Sequence, residues 1–95
     1  MIINTVTDLK REYSQSSSGH WFDEDTIRFF KSRFGDKIYK GKYFISSEQR
    51  EYSTPRLYTI RIFTIKEGKI TIDNVGEFQG YNSYNQARKH IENNL

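Results

Sequence analysis

Leu57-Tyr58-Thr59-Ile60-Arg61-Ile62-Phe63-Thr64-Ile65-Lys66-Glu67-Gly68-Lys69-Ile70-Thr71-Ile72-Asp73-Asn74-Val75 contains two runs rich in β-branched and aromatic residues, separated by a short polar break at Glu67-Gly68. Such runs favour extended strands, and a glycine in so tight a connection marks an antiparallel hairpin. A two-residue loop sets Ile65 opposite Ile70, Phe63 opposite Ile72 and Ile60 opposite Val75. Apolar pairs then lie on both faces of the ribbon, because side chains alternate along a strand. A three-residue loop would shift this register.

Outward from the hairpin, Tyr43–Ser47 reads as a further strand, which Lys37–Lys40 could extend. On the C-terminal side, Ser83-Tyr84-Asn85-Gln86 is a capping box that opens a helix with Tyr84, Ala87, Ile91 and Leu95 on one face. On the N-terminal side, Asp23 suits an N-cap, Glu24 and Asp25 suit the positive helix end, and Lys31 and Arg33 suit the last turns, with Gly35 closing the helix. Phe22 and Ile27 have the spacing of a hydrophobic staple, and Ile27, Phe30 and Phe34 form an apolar stripe. Phe29 lies off that stripe and either widens the buried face or is exposed. Val6, Leu9 and Tyr13 predict a short first helix with Thr5 as its cap. Ser14-Gln15-Ser16-Ser17-Ser18-Gly19 has a linker's composition and predicts that this helix is loosely attached. The expected fold is α+β, in the order helix, helix, three strands, helix, with a three-stranded antiparallel sheet and the helices packed on one face. Residues 1–18 form a helix and linker, and 19–95 a single domain.

Composition bounds the function. Ninety-five residues leave room for one modest core, and with only 35% hydrophobic residues the seven Phe, seven Tyr and one Trp must supply much of the burial. The absence of cysteine excludes disulfides, thiolate metal sites and thiol nucleophiles. No apolar run is long enough to span a bilayer, and the start has no signal-peptide pattern, so the expected location is the cytoplasm with no membrane partner. A net charge of +3 mildly favours anionic partners, falls short of the field of a dedicated nucleic-acid binder, and does not fit an acidic DNA mimic.

Catalytic chemistry finds no foothold. His20 and His90 have no metal-ligand spacing, Asp23, Glu24 and Asp25 are accounted for by the helix dipole, and Ser16–Ser18 have no positioned base. Phosphate-binding glycine motifs are absent. Neither an enzyme, a cofactor nor a metal is expected. In Val75-Gly76-Glu77-Phe78-Gln79-Gly80-Tyr81 two glycines bracket Phe78 and Gln79 before a helix; the stretch is a turn with Phe78 in the core, or a set of free N–H groups for an anion. Arg28, Lys31, Arg33, Lys37, Lys40 and Lys42 interleave with Phe29, Phe34, Tyr39 and Tyr43, the pattern of a single-strand nucleic-acid groove. Four acids, Asp23, Glu24, Asp25 and Asp36, share the stretch from Asp23 to Lys42, so its six positive charges leave a net of only +2. Arg56 and Arg61 flank Tyr58, and an arginine among apolar neighbours either pairs with a buried carboxylate or faces a partner.

His20-Trp21-Phe22-Asp23, Thr26-Ile27-Arg28-Phe29-Phe30-Lys31-Ser32-Arg33, Phe44-Ile45-Ser46-Ser47-Glu48-Gln49, Pro55-Arg56-Leu57-Tyr58-Thr59-Ile60-Arg61 and Val75-Gly76-Glu77-Phe78-Gln79 occur in that order. The pattern resembles a poorly characterised family of small proteins carried by phages, plasmids and integrative elements, over about residues 19–88. The resemblance implies a mobile-element accessory protein and brings no established reaction. The expected function is a non-enzymatic interaction module that modulates a host or defence protein, an anti-CRISPR inhibitor being one concrete form. Its expected partner-binding residues are Arg28, Phe29, Arg33, Arg56, Tyr58 and Arg61, since arginines and rings anchor interfaces. The alternative is a nucleic-acid-binding accessory protein using Arg28, Lys31, Arg33, Lys37, Lys40 and Lys42. Oligomeric state is left open.

Overall fold

A computed structural model describes residues 2–16 and 21–95. Its elements are α1 (Val6–Ser16), α2 (Glu24–Phe30), β1 (Arg33–Phe34), β2 (Tyr43–Glu48), β3 (Leu57–Lys66), β4 (Lys69–Val75) and α3 (Tyr84–Asn94). The hairpin β3–β4 has the two-residue register: Ile65 faces Ile70, Phe63 faces Ile72 and Ile60 faces Val75. Glu67 at φ 53° and Gly68 at φ 78° give the two left-handed residues that a type I′ turn needs to match the twist of its strands.

The sheet has four antiparallel strands in the order β1-β2-β3-β4, not three. The extra strand is not evident in the sequence because the helical stripe of Ile27 and Phe30 continues in period through Phe34. Lys31 ends the helix earlier, at φ 50°, with its N–H on Arg28 O and the Ser32 N–H on Ile27 O. That left-handed cap turns the chain out of the helix. Arg33 and Phe34 then pair with Ser47 and Ser46. Gly35 serves a different purpose from the one expected: a Cβ there would come within 2.8 Å of the Tyr84 ring. Its bare backbone lets Tyr84 reach in from α3, where its hydroxyl lies 2.7 Å from that of Tyr39.

The helices pack on both faces of the sheet, correcting the one-faced arrangement. On one face Val6, Leu9 and Tyr13 of α1 meet Phe44, Phe63, Ile70 and Ile72. On the other, Ala87 and Ile91 of α3 meet Tyr43, Ile45 and Ile60. The cause is visible in the hairpin itself. Since β3 carries large apolar side chains on both faces, Phe63 on one and Ile60 on the other, each must be covered. Helix α1 is therefore part of the core rather than loosely attached, and Ser14–Ser16, expected as linker, continue it. The rest of that linker, residues 17–19, lies outside the described residues. Lys37 and Tyr39 make isolated bridges, to Thr5 and Tyr43, instead of extending β2.

Caps hold the outer helices in place. Ser83 accepts the Gln86 N–H at 3.1 Å, and Thr5 accepts the Asp8 N–H at 3.1 Å. Asp8 reciprocates by accepting the N–H groups of Asn4 and Thr5 at 3.0 and 3.2 Å. The Asn4 bond, followed by those from Thr5 and the charge of Arg11, outweighs partial desolvation and holds the Asp8 carboxyl below its ordinary pKa of 3.8. A carboxyl with a lowered folded pKa stabilises the fold above the unfolded value, and that contribution is lost as pH falls through the folded one. Asp8→Asn is therefore expected to lower Tm at neutral pH. The gap to the parent protein should close as the pH falls below 3.8, which thermal unfolding followed across pH 2.5–7 checks.

Candidate functional site

Alternation along the strands decides what the α1 side of the sheet offers. Phe44, Ser46 and Glu48 of β2 share that face with Thr59, Arg61 and Phe63 of β3, since Phe44 is opposite Arg61 and Ser46 opposite Thr59. Only the Phe44–Phe63 end lies under α1. The other end is polar, with Arg61 5% and Glu48 2% exposed.

A guanidinium held there must have its charge compensated, and each of the three nitrogens of Arg61 is engaged. Its Nε donates to Ser46 Oγ at 2.9 Å, Nη2 to Glu48 Oε1 at 3.3 Å, and Nη1 to Asn74 Oδ1. Its carbon centre lies 4.5 Å from the centroid of a Trp21 ring and 5.4 Å from that of Phe78, within cation–π range of both. Desolvation lowers the Arg61 pKa and the Glu48 charge partly restores it; the group stays cationic, given an arginine's ordinary value. The Glu48 Oε1 atom also accepts from Thr59 Oγ1 at 2.9 Å.

Phe78 reaches Arg61 because of the turn that carries it. Gln79 adopts φ 57°, a left-handed conformation unfavourable for a non-glycine residue. Two bonds hold it there: its N–H donates to Thr59 Oγ1 at 2.8 Å, and its Nε2 donates to Glu48 O at 3.1 Å. The Gly80 and Tyr81 N–H groups are likewise taken, by Glu77 O and Tyr58 O. The turn is thus a strap that presents Phe78, and three of its N–H groups are already bonded inside the protein.

Helix α2 closes the other side. Its C-terminus is tied to the sheet end by the Gln49 N–H on Phe30 O at 3.1 Å and by Arg56 Nη1, which donates to Lys31 O at 2.7 Å and to Ser47 O at 3.1 Å. None of its residues is fully buried. Between α2, β1, Trp21 and the Phe78 turn lies an open cavity of about 520 Å³, with Trp21, Phe30, Phe34 and Phe78 as walls and Glu48 and Arg61 at its floor. A second hollow of about 550 Å³ adjoins it and shares Phe30, Glu48 and Phe78, with Phe29, Lys31 and Arg50 at its edge. Phe30 and Phe78 stand edge to face at 6.1 Å between the two. Beyond them Phe29 is 76% exposed and packs edge-on against Phe30 at 4.9 Å.

The six expected partner-binding residues do not form one patch. Phe29 and Arg28 project from α2, where Arg28 pairs with Asp25 at 3.5 Å. Arg61 is inside the cavity floor, and Arg56 is engaged as the tie described above. Arg33 is exposed on β1. Tyr58 lies on the opposite face, edge to face with Tyr84. Residues that sequence reasoning did not single out complete the site: Trp21, Phe30, Phe34 and Glu48. For Glu48 the signal is the strand period, which places residue 48 two steps from 46 and four from 44 once the β2–β3 register is known; Trp21 and Phe30 lie outside the strands and carry no such signal.

The basic residues are also divided. Lys31 Nζ donates to Arg50 O at 3.3 Å and lies over the Tyr52 ring, near the Glu48 end of β2. Lys42 lies over Tyr43 and Lys37 over Tyr39, at the other end, with Lys40 exposed in the intervening turn. Five steps of about 3.4 Å along β2 separate those ends by roughly 17 Å. Among the described residues no cluster of three potential metal ligands occurs, and no helix is long and apolar enough to cross a membrane.

Removing one member of a buried ion pair strands the other charge, at a cost of about 3–5 kcal/mol, whereas replacing both by apolar groups is far milder. Arg61→Leu is accordingly expected to reduce unfolding stability by about 3 kcal/mol or more, and adding Glu48→Leu should restore most of it. Urea denaturation of the three proteins makes the comparison.

A family model matches residues 5–92, so the chain belongs to the family of unknown function DUF7447. That match includes α1, which the resemblance seen in the sequence had left out. Neither the curated proteins nor the solved structures searched contain a match.

Proposed function

We propose that this member of the family is a non-enzymatic binding module, and that the aromatic-walled cavity with its exposed phenylalanine rim is where a protein partner docks. The observation that carries this reading is the run Phe29, Phe30, Phe78 and Trp21, large rings left at or near the surface around one concavity. Isolated apolar residues on a surface need no explanation, but a contiguous aromatic set around a pocket is the composition of an interface hot spot. The cavity is held open from within. Arg61 fixes Trp21 and Phe78 by cation–π contact, and Arg56 and Gln49 fix the end of α2. A pocket organised before binding loses less entropy when a partner arrives.

The resemblance to accessory proteins of mobile elements gives the proposal its setting: the partner is a protein of the bacterial host or of its defences, met in the cytoplasm, and inhibition of a CRISPR effector is one concrete form. Nucleic-acid binding is the second reading, supported by the lysine–ring pairs Lys31–Tyr52, Lys37–Tyr39 and Lys42–Tyr43. Their separation along β2 favours the protein partner.

A photo-crosslinking residue in place of Phe29, in the full chain expressed in its host, should yield a discrete protein adduct. The same residue in place of Lys69, at the far hairpin, should yield none, and Phe78→Asp should abolish the Phe29 adduct. Absence of a protein adduct, together with tight, steeply salt-dependent binding of labelled single-stranded DNA or RNA by fluorescence anisotropy, would replace this reading with the second one.

A further inference from the structure

The two oxygens of Glu48 are treated differently by the protein. Oε1 accepts from Thr59 and Arg61, while among the described residues Oε2 has no hydrogen-bond donor, although it too is out of contact with solvent. A buried carboxylate oxygen in that condition is costly, and Glu48 lines both hollows. A group entering there is favoured if it brings a hydrogen to Oε2.

Charge narrows what that group is. Arg61 already compensates Glu48 at 3.3 Å, so a second cation would be repelled by a guanidinium across a medium of low dielectric. An anion would face the carboxylate oxygen directly. The floor therefore selects a neutral donor. The walls select its body, because Trp21, Phe30, Phe34 and Phe78 offer ring faces and edges, which pair best with another ring. Nucleobases carry ring acceptors beside their amino donors, and a mostly apolar wall leaves such acceptors unsatisfied. An indole N–H has no acceptor at all, and a phenol can donate to Oε2 with its oxygen turned to Arg61.

We infer that the cavity takes an aromatic side chain of the protein partner bearing one neutral donor, tryptophan or tyrosine, with its N–H or O–H on Glu48 Oε2. This rests on the reading of the cavity as a protein-docking site, and it names what that site discriminates. A cavity of about 520 Å³ has room for such a ring, and since Oε2 is closed off from solvent, the donor reaches it as a covering side chain shifts aside.

The test is an NMR titration of the full ¹⁵N-labelled chain, read at the indole N–H of Trp21, the single tryptophan, and at the amide of Gln79. The probes are the N-acetyl amides of tryptophan, tyrosine, phenylalanine and 1-methyltryptophan, with adenosine and cytidine alongside. Tryptophan or tyrosine amide should shift both signals, and phenylalanine and the methylated probe should bind roughly 10- to 150-fold more weakly, the range spanned by losing a hydrogen bond to a buried charged group. Glu48→Gln should erase that preference, because Arg61 and Thr59 hold the amide oxygen and leave an NH₂ facing the ring. If Glu48→Gln does not fold, Phe78→Ala on the exposed turn provides the second check and must suppress the shifts.

Equal binding of phenylalanine and tryptophan probes overturns the donor assignment while leaving the docking site in place. Stronger shifts from the nucleosides than from any amide overturn both. No shift from any probe at its solubility limit overturns the assignment of an aromatic donor.

Discussion

Arg61 occupies the middle of the central strand β3 and is 5% exposed. A guanidinium in that position must be surrounded by acceptors and polarisable groups, or the fold does not tolerate it. Ser46, Glu48 and Asn74 supply the acceptors from the two neighbouring strands, and Trp21 and Phe78 supply the rings from two connecting segments. This requirement makes the sheet face two-part. Beyond Phe44 and Phe63 it cannot be covered by an apolar helix in the way α1 covers the remainder, because a charged pair lies there. Rings from α2 and from the turn after β4 stand around the pair instead, and the gap between them is the cavity.

The carboxylate of the pair is secured by a neighbour on the same face as well. Glu48 is held through Thr59, whose hydroxyl also accepts the Gln79 N–H, so one oxygen links the carboxylate to the turn that carries Phe78. The left-handed backbone of Gln79 is stabilised by the same network. The opposite face needs no such arrangement: Ile45, Ile60, Ala87 and Ile91 interdigitate there as an ordinary apolar core. One face of the small sheet is thus a continuous apolar core, while the other carries the α1 core only as far as the charged pair and opens into the cavity beyond it.

Much of the fold was legible wherever a local rule had no competitor. The β3–β4 register follows from the two-residue loop, and the Thr5 and Ser83 caps, the stripe of α1 and the buried face of α3 follow from spacing. The stripe of α2 misled because Phe34 continues its period; tertiary pairing of Arg33 and Phe34 with β2 outweighed the propensity of one further helical turn. The apolar pairs on both faces of the hairpin already implied two covering layers, an implication that the one-faced arrangement overlooked. At the site, Arg61 could be suspected of pairing with a carboxylate, but Glu48 could be named only from the β2–β3 register, a pairing between strands eight residues apart. Phe78 stood out through its glycine brackets; that it rests on a guanidinium depends on the positive φ of Gln79, which glutamine does not announce. Arg28, Phe29 and Arg33 stood out by residue type, and Phe29 also by its place off the α2 stripe; the structure distributes them over α2 and β1.

The central claim, that Arg61 is buried as a cation between Trp21 and Phe78 and organises the cavity, is tested most directly by its own Nε–H resonance in a ¹⁵N-edited spectrum. A guanidinium stacked on two rings and bonded to Ser46 should show a ring-current-shifted signal whose exchange with water is slow at neutral pH, and Phe78→Ala should move it toward the ordinary arginine position. An Arg61 signal at that ordinary position in the parent protein, exchanging as fast as those of Arg28 and Arg33, would contradict the account.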